Sequence, residues 1–306
     1  MMKILILRIL QIIGRIDIIR HGLRVRFIRL LCKLFNIYKY QYNINYYSFN
    51  FSGNINNYIE WNIFFLGGYE KGDLALYRNV LKNLYKDPIM LDIGSNNGSH
   101  SLYLSTYCNK IFSFEPDKRI YKLLIKNLQL NRIHNIETFN LAISDSNKKN
   151  QIFYPANDFN LGTGSLNKDH NLNNKKEIFV STVKGDQICK KVSKIDFIKI
   201  DVEGHELNVL EGLKKTIEEF SPTIAIEISN KSLNLIRNKL KLKLLIYEKY
   251  SIFKIMTNRN RLIFFNNPNY ILKKFEFEED ILLPEVNLLL YPKTFALEKL
   301  LPKKLF

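Results

Sequence analysis

From residue 88 onward, short apolar runs that end in polar turns alternate with stretches in which apolar residues recur at helical spacing. Each short run is typical of a buried strand, and each longer stretch is typical of a helix. The predicted strands are 89–93, 111–114, 136–143, 195–200 and 223–228, and the predicted helices are 101–108, 121–131 and 207–220. This alternation predicts an α/β fold with a mostly parallel sheet and helices on both faces. Ligands of such sheets bind beyond the carboxyl ends of the strands, where the strand order reverses.

The segments around this core have less regular patterns. Residues 41–57 are rich in Asn and Tyr and predict a strand or an irregular connector. Residues 58–86 predict a helical segment that breaks at Gly67 and Gly68. Residues 144–176 are polar and predict a loop-rich insertion.

These changes of pattern predict three parts: a basic N-terminal arm at 1–57, a central domain at 58–270 and a C-terminal extension at 271–306. The extension mixes acidic and apolar residues, which fits docking either on the domain or on a partner. Acceptor specificity is expected in the variable parts 1–57, 144–186 and 230–306.

The first 40 residues contain nine Lys or Arg and one Asp, so that they carry 9 − 1 = +8 charges. One interpretation is an interfacial helix that contacts an anionic membrane through residues 1–35. The other is a helical arm that packs on the domain with its arginines in water. The longest charge-free stretch here, 9–14, is far shorter than the roughly 20 apolar residues of a bilayer span. We therefore expect a cytoplasmic protein without a transmembrane helix or a secretory signal, with membrane association as the alternative.

The composition has an excess of basic residues, which has two explanations. The net charge is +17, which favours anionic partners, but an A+T-rich genome would also enrich Lys, Asn, Ile and Tyr. A nucleic-acid partner is not predicted, because no recognised motif is present and the aromatic residues are spread along the chain. The cysteines Cys32, Cys108 and Cys189 form no CxxC pair, so neither a disulfide framework nor a zinc site is expected and a reducing compartment fits best.

A glycine-containing turn follows the first strand of the core, in the segment LDIGSNNGS at 91–99. Gly94 and Gly98 have no Cβ and allow the backbone to approach a ligand. Their spacing differs from the G-x-G-x-x-G pattern that seats a dinucleotide pyrophosphate. Asp92 at the strand end would repel a pyrophosphate, whereas it suits the ammonium and sulfonium groups of S-adenosylmethionine. Glu115, 17 residues after Gly98, ends the second strand and can accept both ribose hydroxyls, as acidic residues of nicotinamide sites also do.

The motifs DIGSNNG, FEP, KIDVEGHE and a downstream IE resemble the FkbM-type methyltransferases over roughly residues 58–230. The segment YIEWNIFFLGGYEKGD resembles the family's leading segment, GTGSL at 162–166 resembles its G-x-x-S-L insertion, and Asp186 resembles the Asp of its T-L-D segment. The chain departs from the family at Ser95, where Ala is frequent, and at Ser229, where many members have His.

The resemblance implies a Rossmann-like class I methyltransferase fold with a seven-stranded sheet, and transfer of a methyl group from S-adenosyl-L-methionine to an oxygen. The expected acceptor is a hydroxyl of a sugar, glycolipid or other small molecule. The expected cofactor-binding residues are Asp92, Gly94, Asn96, Gly98, Glu115, Pro116 and Ala142.

A polar cluster follows the fourth strand of the core, where Asp201, Glu203 and His205 are the candidate catalytic residues. Methylation of a hydroxyl requires removal of its proton, and a carboxylate or imidazole at this strand end could accept it. Asp201, Glu203 and Glu227 could instead hold Mg²⁺, although no metal ligand is assigned. In a third interpretation, residues 203–206 only cap the next helix and order the loop.

Two other functional classes share part of this pattern. A nicotinamide-dependent oxidoreductase would share Glu115, but the glycine spacing argues against it. A methyltransferase-like protein that binds nucleic acid without catalysis would explain the basic surface.

Overall fold

The structure is a computed structural model that describes residues 2–16, 21–157, 159–168, 176–190, 192–229, 232, 246, 248–257, 270–275 and 285–299. The N-terminal part consists of α1 (Met2–Arg15), α2 (His21–Leu34), the hairpin β1 (Gln41–Tyr46) and β2 (Phe49–Asn54), α3 (Tyr58–Leu66) and α4 (Lys71–Leu84). The first half of the core consists of β3 (Ile89–Ile93), α5 (Ser99–Leu104), β4 (Lys110–Phe114), α6 (Lys118–Gln129) and β5 (Ile136–Phe139).

The second half of the chain completes the core. Its elements are β6 (Ala142–Ser144), β7 (Lys148–Phe153), β8 (Ile178–Lys184), α7 (Gly185–Cys189), β9 (Phe197–Ile200), α8 (Glu206–Gly212), α9 (Lys214–Phe220), β10 (Thr223–Ser229), β11 (Tyr250–Thr257), β12 (Tyr270–Lys274) and β13 (Glu285–Pro292). None of the described helices is both long and apolar enough to cross a membrane.

The central sheet has the strand order β12-β11-β13-β10-β9-β3-β4-β5. The five strands from β10 to β5 are parallel, and β13 pairs in the antiparallel sense with β10 and β11. The chain runs outward from β3 to β5 and then returns to β9 on the other side of β3, so that the strand order reverses between β3 and β9. This confirms the α/β Rossmann-like fold.

Alternate residues of the strands face opposite sides of the sheet, as the pleat requires. Met90 of β3 belongs to the hydrophobic cluster that includes residues of α1 to α4. Leu91 and Ile93 belong to the cluster on the other face, with residues of α8 and α9. Helices therefore cover both faces, as predicted.

The sheet has eight strands in the described part of the chain, where seven were predicted, because β12 adds an antiparallel edge strand next to β11. β13 lies between β10 and β11, so the predicted boundary at residue 270 does not coincide with an edge of the sheet. The three-part division of the chain stays a prediction.

Three predicted elements differ in detail. The predicted strand 136–143 is two strands, because Asn140 turns the chain by donating from Nδ2 to the carbonyls of Glu115 and Pro116 at 2.9 and 3.0 Å. β5 joins the central sheet, whereas β6 joins β8 and β7 in a separate three-stranded sheet. The predicted loop 144–176 therefore contains β7, and the predicted helix 207–220 is divided into α8 and α9 at Leu213.

The N-terminal helices lie against α3. Leu7 and Leu10 of α1 are buried, and a Cβ at Gly14 would overlap the carbonyl oxygen of Phe65. Arg24 of α2 is also buried and donates to the carbonyl of Gly14 at 2.7 Å. These contacts join both helices to the segment that leads into the core.

Candidate active site

A cavity opens beyond the carboxyl ends of β3, β4 and β9, at the reversal of the strand order. Eight of the predicted site residues line it: Gly94, Asn96, Glu115, Pro116, Ala142, Asp201, Glu203 and His205. The loop at 160–164 and Leu166, within the predicted insertion, close one side. The cavity therefore combines both predicted groups of residues in the place where doubly wound sheets bind ligands.

The glycine turn after β3 depends on left-handed backbone at Gly94, Asn96 and Gly98, with φ of 79°, 50° and 80°. A Cβ at Gly94 would overlap the carbonyl oxygen of Asp201, so this glycine lets the ends of β3 and β9 approach each other. Gly98 does not line the cavity, because it faces Leu124 of α6, whose Cδ1 a Cβ would overlap. Gly98 therefore allows α5 to pack closely on α6, and its contact with a cofactor stays a prediction.

Glu115 is held rigidly at the end of β4. Its carboxylate accepts hydrogen bonds from the backbone N–H of Asp117 at 2.8 Å and of Asn96 at 3.0 Å. Burial raises the pKa of Glu115 to about 8, although these two hydrogen bonds act in the opposite direction. A cation or hydroxyl donors in the cavity would favour the charged carboxylate.

Lys199 of β9 is the centre of the charged part of the site. The register places it beside Asp92 of β3, and its Nζ lies 3.5 Å from Asp92 Oδ1 and 3.2 Å from Asp201 Oδ2. Burial alone would lower the pKa of Lys199, but Asp201, Asp92 and Glu70 outweigh it and raise the pKa above its ordinary value. The ammonium is therefore charged and holds acidic groups from separate elements together.

Asp92 lies beneath the cavity and does not line it. Its side chain is completely buried, accepts a hydrogen bond from Ser101 Oγ and pairs with Lys199. Its contact with a cofactor stays a prediction. Lys199, with which it pairs, lines the cavity.

Tyr69, Glu70 and His100 also line the cavity, and no role was predicted for them. Glu70 begins α4 with a left-handed backbone, and its Oε2 lies 3.5 Å from His100 Nε2. Burial and the charge of Asp201 raise the pKa of Glu70 to about 8. Burial and Lys199 lower the pKa of His100 well below its ordinary value, so this contact involves a neutral imidazole. The Gly67-Gly68 break before Tyr69 was the available signal in the sequence.

The loop after β9 carries the predicted catalytic residues. Asp201 is paired with Lys199, and its side chain is 31% exposed. His205 Nε2 lies 3.0 Å from Ser144 Oγ, and burial lowers the pKa of His205 to about 4. Glu203 has a left-handed backbone, and its carbonyl accepts a hydrogen bond from Ser165 Oγ of the insertion. This contact joins the loop after β9 to the insertion at the cavity wall.

Glu227, the third candidate Mg²⁺ ligand, lines the same cavity. However, no three His, Cys, Asp or Glu side chains converge as a metal site requires in the part of the chain that the structure describes. Asp186 of α7 lies elsewhere and joins α7 to α9, because its carboxylate accepts from the N–H and hydroxyl of Thr216 at 3.0 and 2.9 Å.

Unsatisfied polar atoms show that the cavity suits a polar ligand. Ser95 Oγ and both ring nitrogens of His100 are buried and have no hydrogen-bond partner among the described residues. Buried polar atoms without partners are costly and are usually satisfied by a ligand or water. Together with Glu115, these atoms fit a ligand that has several hydroxyl or amine groups, as S-adenosylmethionine has.

Comparison with known proteins gives a family and several relatives. The Methyltransferase FkbM domain matches residues 92–245, which is half of the chain. The chain is 27% identical over 150 residues to hexuronic acid methyltransferase AglP of Haloferax volcanii, covering 48% of this chain and 59% of the relative. It is 31% identical over 162 residues to 2-O-methyltransferase NoeI of Sinorhizobium fredii, covering 47% of this chain and 65% of the relative.

A crystal structure of methyltransferase FkbM from Methylobacillus flagellatus shares 17% identity, with a TM-score of 0.42, over 75% of this chain and 52% of that one. The matched part of this chain spans about three fifths of the length of AglP and of NoeI. The glycine turn, Glu115 and the loop after β9 all lie within the matched residues 92–245. The chain belongs to the FkbM methyltransferase domain family.

Proposed function

We propose that this protein is an S-adenosylmethionine-dependent O-methyltransferase that acts on a hydroxyl of a sugar, glycolipid or other small molecule. The observation that carries the proposal is the cavity itself. It joins the anchored carboxylate of Glu115 on one side to the loop of Asp201, Glu203 and His205 on the other. A methyl donor and an acceptor hydroxyl require such a pair of neighbouring sites.

The cofactor half of the proposed site is formed by the ends of β3 and β4. Glu115 would accept hydrogen bonds from the ribose hydroxyls, beside Asn96, Pro116 and Ala142. Ser95 Oγ and Glu70 would face the polar tail. The donor, when bound, supplies a methyl group that is already activated on a cationic sulfur.

The acceptor half is formed by the loop after β9. The acceptor hydroxyl must lose its proton when it is methylated, and Asp201 and His205 are the groups that would receive it. His205 is neutral near pH 7 because its pKa is lowered to about 4, so one ring nitrogen can accept a proton. Glu203 would position the acceptor. Because the donor is activated, positioning can supply much of the rate with these weak bases.

The names of the relatives support an oxygen acceptor, and one of them supports a sugar. AglP is named for hexuronic acid and NoeI for 2-O-methylation. Membership of a methyltransferase family also favours this function over a nicotinamide-dependent oxidoreductase.

Calorimetric titration with S-adenosylhomocysteine and with NADH tests the cofactor. We expect binding of S-adenosylhomocysteine only, and about tenfold or greater loss of affinity in Glu115→Ala, because charged hydrogen bonds contribute roughly 1.5–3 kcal/mol each. The matched control is Glu137→Ala, whose exposed carboxylate pairs with Lys110. The affinity of the wild-type protein should rise between about pH 6 and pH 8, as Glu115 becomes charged, and this rise should disappear in Glu115→Ala. Binding of NADH without S-adenosylhomocysteine would overturn the proposal.

Mass spectrometry of cell extracts incubated with a labelled methyl donor tests the acceptor class. We expect label on a carbohydrate oxygen. Asp201→Ala should lower turnover by roughly 10²-fold or more, with a much smaller change in cofactor affinity. Wild-type turnover in this variant would remove Asp201 from the catalytic residues, and label on nucleic acid would replace the proposed acceptor.

A further inference from the structure

The N-terminal helices expose two apolar stripes to solvent. On α1, Met2, Leu5, Ile9 and Ile12 are 70%, 61%, 47% and 65% exposed. They are separated by three or four residues, so they lie along one face of the helix. Contiguous apolar surface of this kind is uncommon on soluble proteins and marks an interaction site.

The second helix repeats the pattern. Leu23, Phe27, Leu30 and Leu34 of α2 are 57%, 46%, 54% and 64% exposed and follow the same spacing. We call these eight residues of α1 and α2 the exposed stripes. They are not the faces that pack on the protein, since those faces consist of other residues, such as Leu7, Leu10 and Ile28.

Basic side chains flank the exposed stripes. Arg8 of α1 and Arg26, Arg29 and Lys33 of α2 are exposed, and neither helix contains an Asp or Glu. On a helical wheel, they lie between the stripe of their own helix and its buried face, and the Arg29 guanidinium also lies over the Trp61 ring of α3, 5.5 Å from its centroid. An apolar stripe bordered by cations is the pattern of helices that lie in the boundary of an anionic bilayer.

The charge of the two helices favours an anionic membrane over a second copy of the chain. A second copy would bring together helices that contain Lys and Arg but no Asp or Glu, and such like-charged surfaces repel each other. Helices of 14 residues are roughly 21 Å long and too short to cross a bilayer, but they can lie along its surface. The buried contacts of Leu10 and Arg24 fix both helices to the protein.

We propose that α1 and α2 form a membrane-docking platform, whose exposed stripes insert into the headgroup boundary of an anionic bilayer while the flanking cations contact lipid phosphates. The platform packs on α3, and Ile59 of α3 lines the cavity. Docking would therefore hold the cavity at a set distance from the lipid surface. This inference goes beyond the proposed function and does not depend on it.

Cosedimentation of the full chain with phosphatidylcholine vesicles, with or without about one-third phosphatidylglycerol, tests the platform at about 0.1 M NaCl. We expect at least tenfold stronger partitioning into the anionic vesicles. Arg26→Glu/Lys33→Glu should weaken it by about tenfold or more, because each cation near the surface contributes about fivefold. Phe27→Ser/Leu30→Ser should weaken it by about as much, because binding scales with the apolar area buried in the headgroup boundary. Since all four side chains are exposed, both variants should fold, which circular dichroism checks.

The matched control is Lys118→Glu/Lys122→Glu on α6, which makes the same charge change at exposed positions away from the platform. It should change partitioning by less than about threefold. An equal loss in this control would show a general charge effect and overturn the proposal, as would equal binding to neutral and anionic vesicles. Sedimentation equilibrium provides a further check: a dimer that Phe27→Ser/Leu30→Ser dissociates would assign the exposed stripes to a second copy of the chain. Because these measurements use no cofactor, their failure is separate from failure of the proposed function.

Discussion

The two halves of the cavity are held together by different interactions. At the ends of β3 and β4, Glu115 accepts hydrogen bonds from the backbone N–H groups of Asp117, two residues later, and of Asn96 in the turn after β3. At the end of β9, the buried charge of Lys199 pairs with Asp92 of β3 and with Asp201. The first half is therefore held by backbone hydrogen bonds, and the second half by a buried charge.

This difference has an energetic consequence. A buried ion pair costs a large free energy of desolvation, so removal of one partner leaves an uncompensated charge. Loss of a local hydrogen bond at a helix end costs much less, because solvent can replace part of it. Substitutions in the β9 half should therefore affect stability more than substitutions of the local contacts in the β3–β4 half.

The largest effect is expected for Lys199→Met. It leaves the completely buried carboxylate of Asp92 without its cation and should lower the free energy of unfolding by about 3–5 kcal/mol. Urea unfolding followed by circular dichroism measures the change. Lys194→Met is the matched control, because Lys194 pairs with Asp196 at the surface and should cost less than about 1 kcal/mol. If both variants lost the same free energy of unfolding, the buried ion pair of Lys199 would contribute no more to stability than a surface pair.

The next effect concerns His205 and pH. Burial lowers its pKa from the ordinary value of 6.5 to about 4, so the unfolded chain gains a proton at a higher pH than the folded protein does. This contribution makes stability fall as the pH falls from about 6.5 to about 4, by about 3 kcal/mol in total. His205→Asn should remove most of this fall. The matched substitution is His134→Asn at an exposed position, which should change the free energy of unfolding at pH 7 by less than about 0.5 kcal/mol. If the free energy of unfolding of His205→Asn depended on pH as that of the wild-type protein does, the imidazole would be accessible to protons in the folded protein.

A smaller effect is expected where the two halves meet. Gly94→Ala introduces a Cβ that overlaps the carbonyl of Asp201 at a left-handed backbone position, and it should cost about 2 kcal/mol. Gly22→Ala on α2 is the control, because a Cβ there meets no atom within 4 Å and alanine favours a helix. Thermal unfolding should show a lower midpoint temperature for Gly94→Ala and a slightly higher one for Gly22→Ala. A Gly94→Ala protein of wild-type stability would mean that β3 and β9 separate easily.

The smallest effect is expected for Asp117→Ala in the β3–β4 half. Asp117 caps α6 by accepting from the N–H of Arg119 at 2.9 Å, and its loss should cost about 1 kcal/mol. Lys118→Ala, at an exposed position one residue later, should change stability by less than about 0.5 kcal/mol. If Asp117→Ala destabilised the protein as much as Lys199→Met, the contrast between the two halves would be wrong.

The parts of the site that could be predicted are those with local causes. The glycine turn at 94–98 and Glu115 follow from short-range patterns, and both lie at the predicted strand ends. The roles of Glu70 and His100 could not be predicted, because they are separated in sequence by 30 residues and meet only when α4 packs beside α5. The signal for Lys199 is its charge within an apolar strand, because a buried charge requires a partner.

The ion pair of Asp92 is a feature that the local sequence pattern does not predict. The place of Asp92 at the tip of β3 predicts contact with a cofactor, whereas its ion pair with Lys199 follows from the register between β3 and β9. The division of 136–143 into β5 and β6 also depends on a tertiary contact, because Asn140 donates to the carbonyls of Glu115 and Pro116 after β4.

The sequence by itself determined the order of strands and helices, the glycine turn and the family resemblance, because these depend on hydrophobic periodicity and on residues close together in the chain. Only the tertiary structure decided which polar residues face the cavity, which carboxylate is paired beneath it, and which faces of α1 and α2 stay exposed. Those outcomes depend on the register and packing of elements that lie far apart in sequence, since burial and pairing, more than residue type, determine the charge and reach of each side chain.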